Sequence, residues 1–250
     1  MKSLLIAVAI DQELKIIKNS MSQIKPVKSE QPMFSGLIAG FPIEVIQTSM
    51  GPEAAAKAAI RAINPDRHGG VFILGYCGGL SNTLKVSDVV IASKVISPFD
   101  SKMFSIEPTT NGNLGKALIQ EGVAYRCAPL LSQKLVVQTR NERQKLNEST
   151  HAEAVDMEAS EITRHALEKN LKVAAIKILI DDIDTEMPDF NEYYKKTGKM
   201  DKFSVTQTLA SRPALNLRLS NNIRQAGIVL KKIIPVVIPS VCRQWGITPH

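Results

Sequence analysis

The sequence is poor in cysteine and in aromatic residues, and it has no long uninterrupted apolar run. Its 250 residues include only Cys77, Cys127 and Cys242, which are too few and too scattered for a disulfide framework or a thiolate metal site. We therefore expect a reducing compartment, the cytoplasm. No stretch approaches the ~18 consecutive apolar residues of a membrane-spanning helix. Apolar residues at 44% and charged residues at 22% indicate an ordinary globular chain.

Basic charge is concentrated at the end of the chain. The formal net charge is +7, and no acidic residue follows Asp201, so the residues up to that point carry equal numbers of each sign. Aromatic residues make up only 5%, whereas a nucleic-acid surface usually combines spread basic residues with aromatics. We therefore expect no nucleic-acid partner. A basic tail of this kind fits an anionic membrane surface better.

Short runs rich in Val, Ile and Leu alternate with helical patterns, which predicts a single α/β domain with a central mixed sheet flanked by helices. We assign this domain to residues 1–205 and a C-terminal appendage to residues 206–250. The predicted strands are 4–10, 34–39, 43–48, 71–74, 86–92, 135–138, 152–155 and 173–180. The predicted helices are 53–63, 114–121, 142–147 and 158–170.

The appendage has the pattern of a basic amphipathic helix. Its apolar residues recur at intervals of three and four, at Leu215, Leu219, Ile223, Ala226, Leu230 and Ile233. Pro235 and Pro239 are expected to end regular helix. Two interpretations of the apolar face remain open: it binds the inner face of the cytoplasmic membrane, or it packs on the core or on a sister subunit.

Glycines follow the predicted strand 71–74, in the segment Gly75 to Gly79. Glycines at a strand end let a ligand approach the backbone, and open α/β sheets bind ligands at the carboxyl ends of their strands. A tight turn explains the same residues equally well. The segment is not a dinucleotide fingerprint, because the G-x-G-x-x-G spacing and a following helix are both missing.

Acidic residues stand at the ends of several predicted strands: Glu13, Asp156, Glu158 and Asp181. Helix capping explains Asp156 and Glu158 without function, and calcium is an alternative for the cluster around Asp181, although its spacing is not that of an EF-hand. If the four gather at one sheet edge, they suit cleavage of a glycosidic bond, in which one carboxyl protonates the leaving group and another activates the nucleophile. No histidine pair has ligand spacing, so we expect no metal.

Six motifs together resemble the superfamily of purine nucleoside phosphorylases and methylthioadenosine/S-adenosylhomocysteine nucleosidases. They match in order and spacing over about residues 4–185. The motifs are 10–13 (IDQE), 49–52 (SMGP), 75–80 (GYCGGL), 85–90 (KVSDVV), 155–159 (VDMEA) and 180–181 (ID). The resemblance implies a single α/β domain with a mixed sheet that assembles as a homo-oligomer.

The resemblance also implies a role for individual residues. Asp181 would be the general acid that protonates purine N7, and Glu13 would orient or deprotonate a nucleophilic water. Glu158 would bind the ribose hydroxyls, with Met157 packed under the sugar. Other implied contacts are Val136 and Val137 on the base, Gly75, Tyr76, Gly78 and Gly79 along the sugar, and Ser49 and Gly51 on a phosphate.

Four positions depart from the family pattern. Ile180 replaces the serine that usually precedes the acid, and Tyr76 replaces a serine in the glycine segment. Ile73 stands where phosphorolytic hexamers place a phosphate-binding arginine, and Lys134 stands at a usually acidic position. These changes affect the phosphate site and recognition of the 5′ group more than bond cleavage.

Three short segments are similar to the hopanoid-associated phosphorylase branch: 187–191 (MPDFN), 197–200 (TGKM) and 209–215 (LASRPAL). This similarity implies phosphorolytic release of adenine from a lipid-linked, adenosylhopane-like nucleoside, with phosphate as co-substrate and no cofactor. Two alternatives stay open. One is a soluble, hydrolytic methylthioadenosine/S-adenosylhomocysteine nucleosidase. The other is a nucleoside-binding, membrane-associated module without turnover.

Overall fold

A computed structural model describes residues 2–97, 99–100, 102–187 and 213–250. The strands are β1 (Ser3–Val8), β2 (Ser22–Pro26), β3 (Met33–Ile38), β4 (Phe41–Gln47), β5 (His68–Gly79), β6 (Val89–Ile96), β7 (Met103–Ser105), β8 (Tyr125–Ser132), β9 (Ala154–Asp156) and β10 (Lys172–Asp181). The helices are α1 (Asp11–Asn19), α2 (Pro52–Ala62), α3 (Pro108–Gln120), α4 (Arg140–Thr150), α5 (Ala159–Glu168) and α6 (Pro213–Gln244).

One mixed sheet contains all of these strands, in the order β10-β6-β8-β9-β5-β1-β4-β3-β2, with β7 beside β6. Strand β10 also pairs with β5, so β5, β10, β6, β8 and β9 form a closed ring. The pairs β1–β4, β1–β5 and β5–β10 are parallel, whereas β6–β10 and β5–β9 are antiparallel. The predicted α/β fold with a central mixed sheet is confirmed.

Side chains alternate across the sheet and build a core on each face. Along β1, Leu4 and Ile6 face α1, α3 and α6, whereas Leu5 and Ala7 face α2 and α5. All four are buried, as expected for a central strand with helices on both sides.

Several predicted elements differ from the observed ones. Strand β1 ends at Val8, and the unpredicted helix α1 begins at Asp11, so Glu13 lies in the first turn of a helix rather than at a strand end. Strand β5 continues through the glycine segment to Gly79, so that segment is not a turn. Residues 135–138, predicted as a strand, form a loop, and the preceding strand is the unpredicted β8.

Helix α6 does not end at Pro235 but continues through Pro239 to Gln244. An interior proline removes one backbone hydrogen bond and costs a helix about 3 kcal/mol. Burial offsets this cost, because Ile234, Val237 and Ile238 are fully buried in the core cluster that also contains β1 and α3. Propensity alone therefore gave the wrong end for this helix.

The apolar face of α6 packs on the core, which is one of the two interpretations of the sequence. Leu219, Ala226, Leu230 and Ile233 are buried there. By length and composition α6 could cross a membrane, but 56% of its most apolar window is buried inside the protein, as in the core helix of a soluble domain. The predicted boundary at 205/206 and most of the branch-specific segments lie outside the described residues.

Candidate active site

A cavity of about 290 Å³ opens where β1, β5, β9 and β10 reach their carboxyl ends. The loop at residues 135–137 and one face of α6 complete its wall. Its polar lining consists mainly of charged side chains, namely Glu13, Arg143, Asp156, Glu158 and Asp181. The structure therefore brings together the four acidic residues selected from the sequence.

Glu13 is held at the cavity by backbone N–H groups. The amides of Ala9 and Ile10 donate to its Oε2 at 2.7 and 3.0 Å, and the amide of Tyr76 donates to Oε1 at 2.7 Å. The side chain can reach β5 because residue 75 is a glycine: a Cβ there would lie 2.3 Å from Oε1. The φ of Gly75, +151°, is also one that residues with a side chain rarely adopt. Burial raises the pKa of Glu13, while Lys177 and the three amides oppose that rise.

Lys177 is a buried cation in the middle of the acidic group. Its Nζ lies 2.8 Å from Asp156 Oδ2, and Ser132 Oγ donates to Asp156 Oδ1 at 2.7 Å. Lys177 lies opposite Gly75 in the β5–β10 register, where the neighbouring strand presents no side chain. Asp156, Glu158 and Glu13 together hold the pKa of Lys177 above its usual range despite burial.

Glu158 is anchored by two amides: Gly51 N–H donates to Oε1 at 3.0 Å, and Met157 N–H donates to Oε2 at 3.3 Å. Burial and the nearby Asp156 carboxylate raise the pKa of Glu158 to about 7, although Lys177 and the Gly51 amide act in the opposite direction. Gly51 caps helix α2, so Glu158 uses the N–H that the sequence assigned to a phosphate.

Asp181 forms an ion pair with Arg143 of α4, at 2.5 Å between Oδ2 and Nη2. Both side chains are almost fully buried. Asp181 lies opposite Gly78, where a Cβ would be 2.7 Å from Oδ2. Burial raises the pKa of Asp181, and Arg143 opposes that rise.

Most of the other predicted site residues also line the cavity. Tyr76, Gly78, Val136, Val137 and Met157 do so. Gly79 contributes its carbonyl to Arg143 instead, and Ser49 is exposed on the loop before α2. In the described ranges no three His, Cys, Asp or Glu side chains are grouped so that they could hold a metal ion.

Sequence reasoning missed Lys177, Arg143 and the cavity-lining residues Leu219 and Ile223 of α6. A single lysine within the apolar run 173–180 was the available signal for Lys177. Arg143 offered none, because it lies in a helix rich in polar residues. Leu219 and Ile223 were recognised as part of an apolar face, but only tertiary packing brings that face to the cavity.

Comparison with known proteins identifies the family. A family model described as "Phosphorylase superfamily" matches residues 3–204. The chain belongs to the phosphorylase superfamily. This membership makes the protein an enzyme of the class that cleaves N-glycosyl bonds. Its assembly as a homo-oligomer stays a prediction.

Solved structures share the fold. The 5′-methylthioadenosine/S-adenosylhomocysteine nucleosidase of Neisseria meningitidis matches with a TM-score of 0.77 at 18% identity, covering 96% of this chain and 100% of that one. The S. pneumoniae nucleosidase matches with a TM-score of 0.75 at 16% identity, covering 96% and 100%. The futalosine hydrolase of Helicobacter pylori matches with a TM-score of 0.72 at 12% identity, covering 94% and 99%.

The raised pKa of Glu158 predicts a pH-dependent stability. Between the ordinary value of 4.5 and about 7, the folded protein binds a proton at Glu158 that the unfolded chain does not, so stability falls as pH rises through this window. In urea unfolding measured from pH 5 to 7.5, we expect Glu158→Gln to reduce this loss of unfolding free energy by about 3 kcal/mol.

Glu142→Gln is the matched control. Capping hydrogen bonds from the Thr139 and Gln138 amides lower the pKa of Glu142, so its contribution to stability does not change with pH in that window. If Glu158→Gln leaves the pH dependence of the unfolding free energy unchanged, the Glu158 carboxyl is not desolvated as described.

Proposed function

We propose that the protein hydrolyses the N-glycosidic bond of an adenine nucleoside and releases adenine. The observation that carries this proposal is the convergence of Glu13, Glu158 and Asp181 on one cavity. The structural neighbours support the reaction class, because their names describe enzymes acting on methylthioadenosine, S-adenosylhomocysteine or futalosine.

In this proposal each of the three carboxyl groups has a different role. Asp181 donates a proton to purine N7 as the bond breaks, and burial favours the protonated form that this step needs. Glu13 accepts a proton from the attacking water, and the pKa that burial raises makes it a stronger base than an exposed glutamate. Glu158 accepts hydrogen bonds from the ribose hydroxyls.

Charge around the cavity favours a cationic sugar at the transition state. Once Asp181 has given its proton to N7, the four buried carboxyl groups at the cavity meet two buried cations among the described residues. Lys177 pairs with Asp156, and Arg143 pairs with Asp181. The remaining negative charge stabilises an oxocarbenium-like centre, most strongly where water is excluded.

The same charge balance favours water over phosphate as the nucleophile. A phosphate would add negative charge beside Glu13 and Glu158, and the two cations that the described residues place there, Lys177 and Arg143, already contact Asp156 and Asp181. Ile73 does not supply the arginine of phosphorolytic hexamers, and the Gly51 amide is occupied by Glu158. These observations argue against the phosphorolysis that the hopanoid-associated branch implies.

Phosphorolysis is the second candidate, and one observation favours it. If Glu158 turned toward the ribose, the Gly51 N–H at the start of α2 would be released beside the cavity, and a helix N-terminus attracts anions. The sugar product then distinguishes the two reactions: hydrolysis leaves the free 5′-substituted ribose, and phosphorolysis leaves its 1-phosphate.

Asp181→Asn should reduce adenine release from methylthioadenosine by at least about 100-fold, because the amide cannot protonate N7. Wild-type activity should be the same with and without phosphate, and the sugar product should carry no phosphate. Chromatography of the products measures both quantities. Full activity in Asp181→Asn would falsify the acid role, and a phosphate requirement would establish phosphorolysis instead.

We also propose that the preferred substrate carries an extended apolar group at the ribose 5′ carbon, as a lipid-linked, adenosylhopane-like nucleoside does. Beyond the charged residues, the cavity lining is almost entirely apolar: Ile10, Met50, Leu135, Ile180, Met187, Leu219 and Ile223. Each methylene group of the substrate that is buried on such a surface adds about 0.8 kcal/mol to the binding free energy.

Activity should therefore rise with the length of a 5′-alkylthio chain. From 5′-methylthio to 5′-octylthio adenosine we expect kcat/KM to increase by up to about fourfold per methylene until the cavity is filled. Leu219→Ala with Ile223→Ala should weaken this dependence, whereas Leu217→Ala, exposed on the same helix, should not. A rate independent of chain length rules out the lipid-linked substrate and leaves the soluble nucleosidase.

A lipid-linked substrate requires the enzyme to work at a membrane surface, and we propose that the outer face of α6 makes this contact. Its apolar face is buried, but Leu217 and Ile228 are 65% and 59% exposed on the other side. The spacing of Leu217, Arg224, Ile228 and Lys231 puts all four on one stripe. Apolar side chains among basic ones suit an anionic leaflet, where each basic residue contributes about 1 kcal/mol.

Sedimentation with phosphatidylserine-containing vesicles tests this contact. The double variant Arg224→Glu with Lys231→Glu should bind at least about tenfold more weakly than wild type. The variant Lys57→Glu with Lys85→Glu changes the net charge equally but outside α6, and it should bind like wild type. Equal losses in the two variants would mean that binding depends on net charge rather than on this face.

The remaining interpretation, a module without turnover, rested on Tyr76, Ile180 and Lys134. The Tyr76 backbone still donates to Glu13, whatever its side chain. Lys134 pairs with Glu53 at 2.8 Å, and neither residue lines the cavity. These two replacements therefore leave the acidic residues in place, which supports catalysis over simple binding.

A further inference from the structure

Arg143 connects three parts of the cavity wall through one buried guanidinium group. Its Nη2 lies 2.5 Å from Asp181 Oδ2 and donates to the Val137 carbonyl at 3.1 Å. Its Nη1 donates to the Gly79 carbonyl at 2.9 Å. The side chain is 1% exposed. Thus β10, the loop at residues 135–137 and β5 are joined by a single residue of α4.

Two of these contacts share the same nitrogen. Asp181 is the proposed proton donor to purine N7, and Val137 lines the same cavity in the loop expected to read the base. Since Nη2 contacts both groups, the distance between the acid and the Val137 carbonyl depends on the guanidinium position. A misplacement of about 1 Å at such a pair can cost 10²-fold in rate.

The neighbouring residues make room for this arrangement. A Cβ at Gly78 would lie 2.7 Å from Asp181 Oδ2 and 3.0 Å from Arg143 Nη1, so any larger residue would push the pair apart. Ile180, next to Asp181, has no polar side-chain atom that could orient the carboxylate. The guanidinium is therefore the side chain that the described structure provides for this purpose.

We propose that Arg143 is a positioning residue for the reaction, fixing the Asp181 carboxylate against the purine and setting the pH range in which it acts as an acid. This inference rests on the proposed function. Arg143 acts through Asp181 and through the Val137 carbonyl, and it is not itself a proton donor to the substrate.

The positive charge of Arg143 shifts the acidity of Asp181 in a definite direction. Among the described residues, the ionisable groups that face Asp181 are Arg143 from α4, Asp182 beside it in the chain and Cys77 from β5. Arg143 is the cation among them, and it holds the pKa of Asp181 below the value that burial and Asp182 would give. Because the protonated acid is the active form, removing that charge should extend activity to higher pH.

The test compares two substitutions across a pH profile of kcat/KM for methylthioadenosine. Arg143→Gln keeps N–H donors for the carbonyls but removes the charge, so kcat/KM should fall by about 100-fold and its alkaline limb should move up by about one pH unit or more. Arg143→Lys keeps the charge but cannot make the paired contacts, so its rate should fall while the limb stays at the wild-type position.

A purely structural role predicts lower activity in both variants with no movement of the limb, and that result would overturn the inference. If Arg143→Gln does not fold, Gly78→Ala separates the pair with both charges present, and its limb should also move up. Gly112→Ala, where nothing lies within 4 Å of the new methyl, is the control. Full activity in Asp181→Asn would instead contradict the proposed function itself.

Discussion

The site depends on the neutralisation of buried carboxylates by buried cations. Glu13, Asp156, Glu158 and Asp181 are each at most 5% exposed and lie around one cavity, where like charges repel strongly. Lys177 pairs with Asp156 and Arg143 pairs with Asp181, which leaves Glu13 and Glu158 with backbone amides as their partners. Two of the four carboxyl groups are thus paired with cations, and Glu13 and Glu158 supply the negative charge that the proposed reaction requires.

The sheet explains how charged groups are accommodated in an apolar core. Lys177 and Asp181 stand four residues apart on β10, and each lies opposite a glycine of β5. The β10–β5 pairing therefore gives space to both side chains, and Gly75 also admits Glu13 from α1. Helix α6 closes the other side with apolar residues, so charged and apolar side chains line one cavity. Because α6 contributes to both the core and the cavity wall, a change in its packing also changes the cavity.

The fold class, most of the strands and the acidic residues Asp156 and Asp181 could be predicted from the sequence, because apolar periodicity and acids at strand ends are local signals. Glu13 was selected for the same reason, although it lies in the first turn of α1. Helix α1 could not be predicted, because its N-cap residue, Ile10, is apolar and has no side chain that could cap the helix. The Glu13 carboxylate in the first turn accepts a hydrogen bond from the Ile10 amide instead. The course of α6 through two prolines and the place of Arg143 depend on tertiary packing. The sequence pattern also left open whether the apolar face of α6 meets a membrane or the core, and burial decides this for the core.

The proposed reaction requires a cavity that is electrostatically adapted to a cationic sugar. Calorimetric titration can compare two adenosine analogues with the same 5′ group, one with a cationic pyrrolidine ring in place of ribose and one with a neutral carbocycle. The account predicts that the cation binds at least about 100-fold more tightly, as a transition-state analogue should. Equal affinity for the two analogues would contradict it.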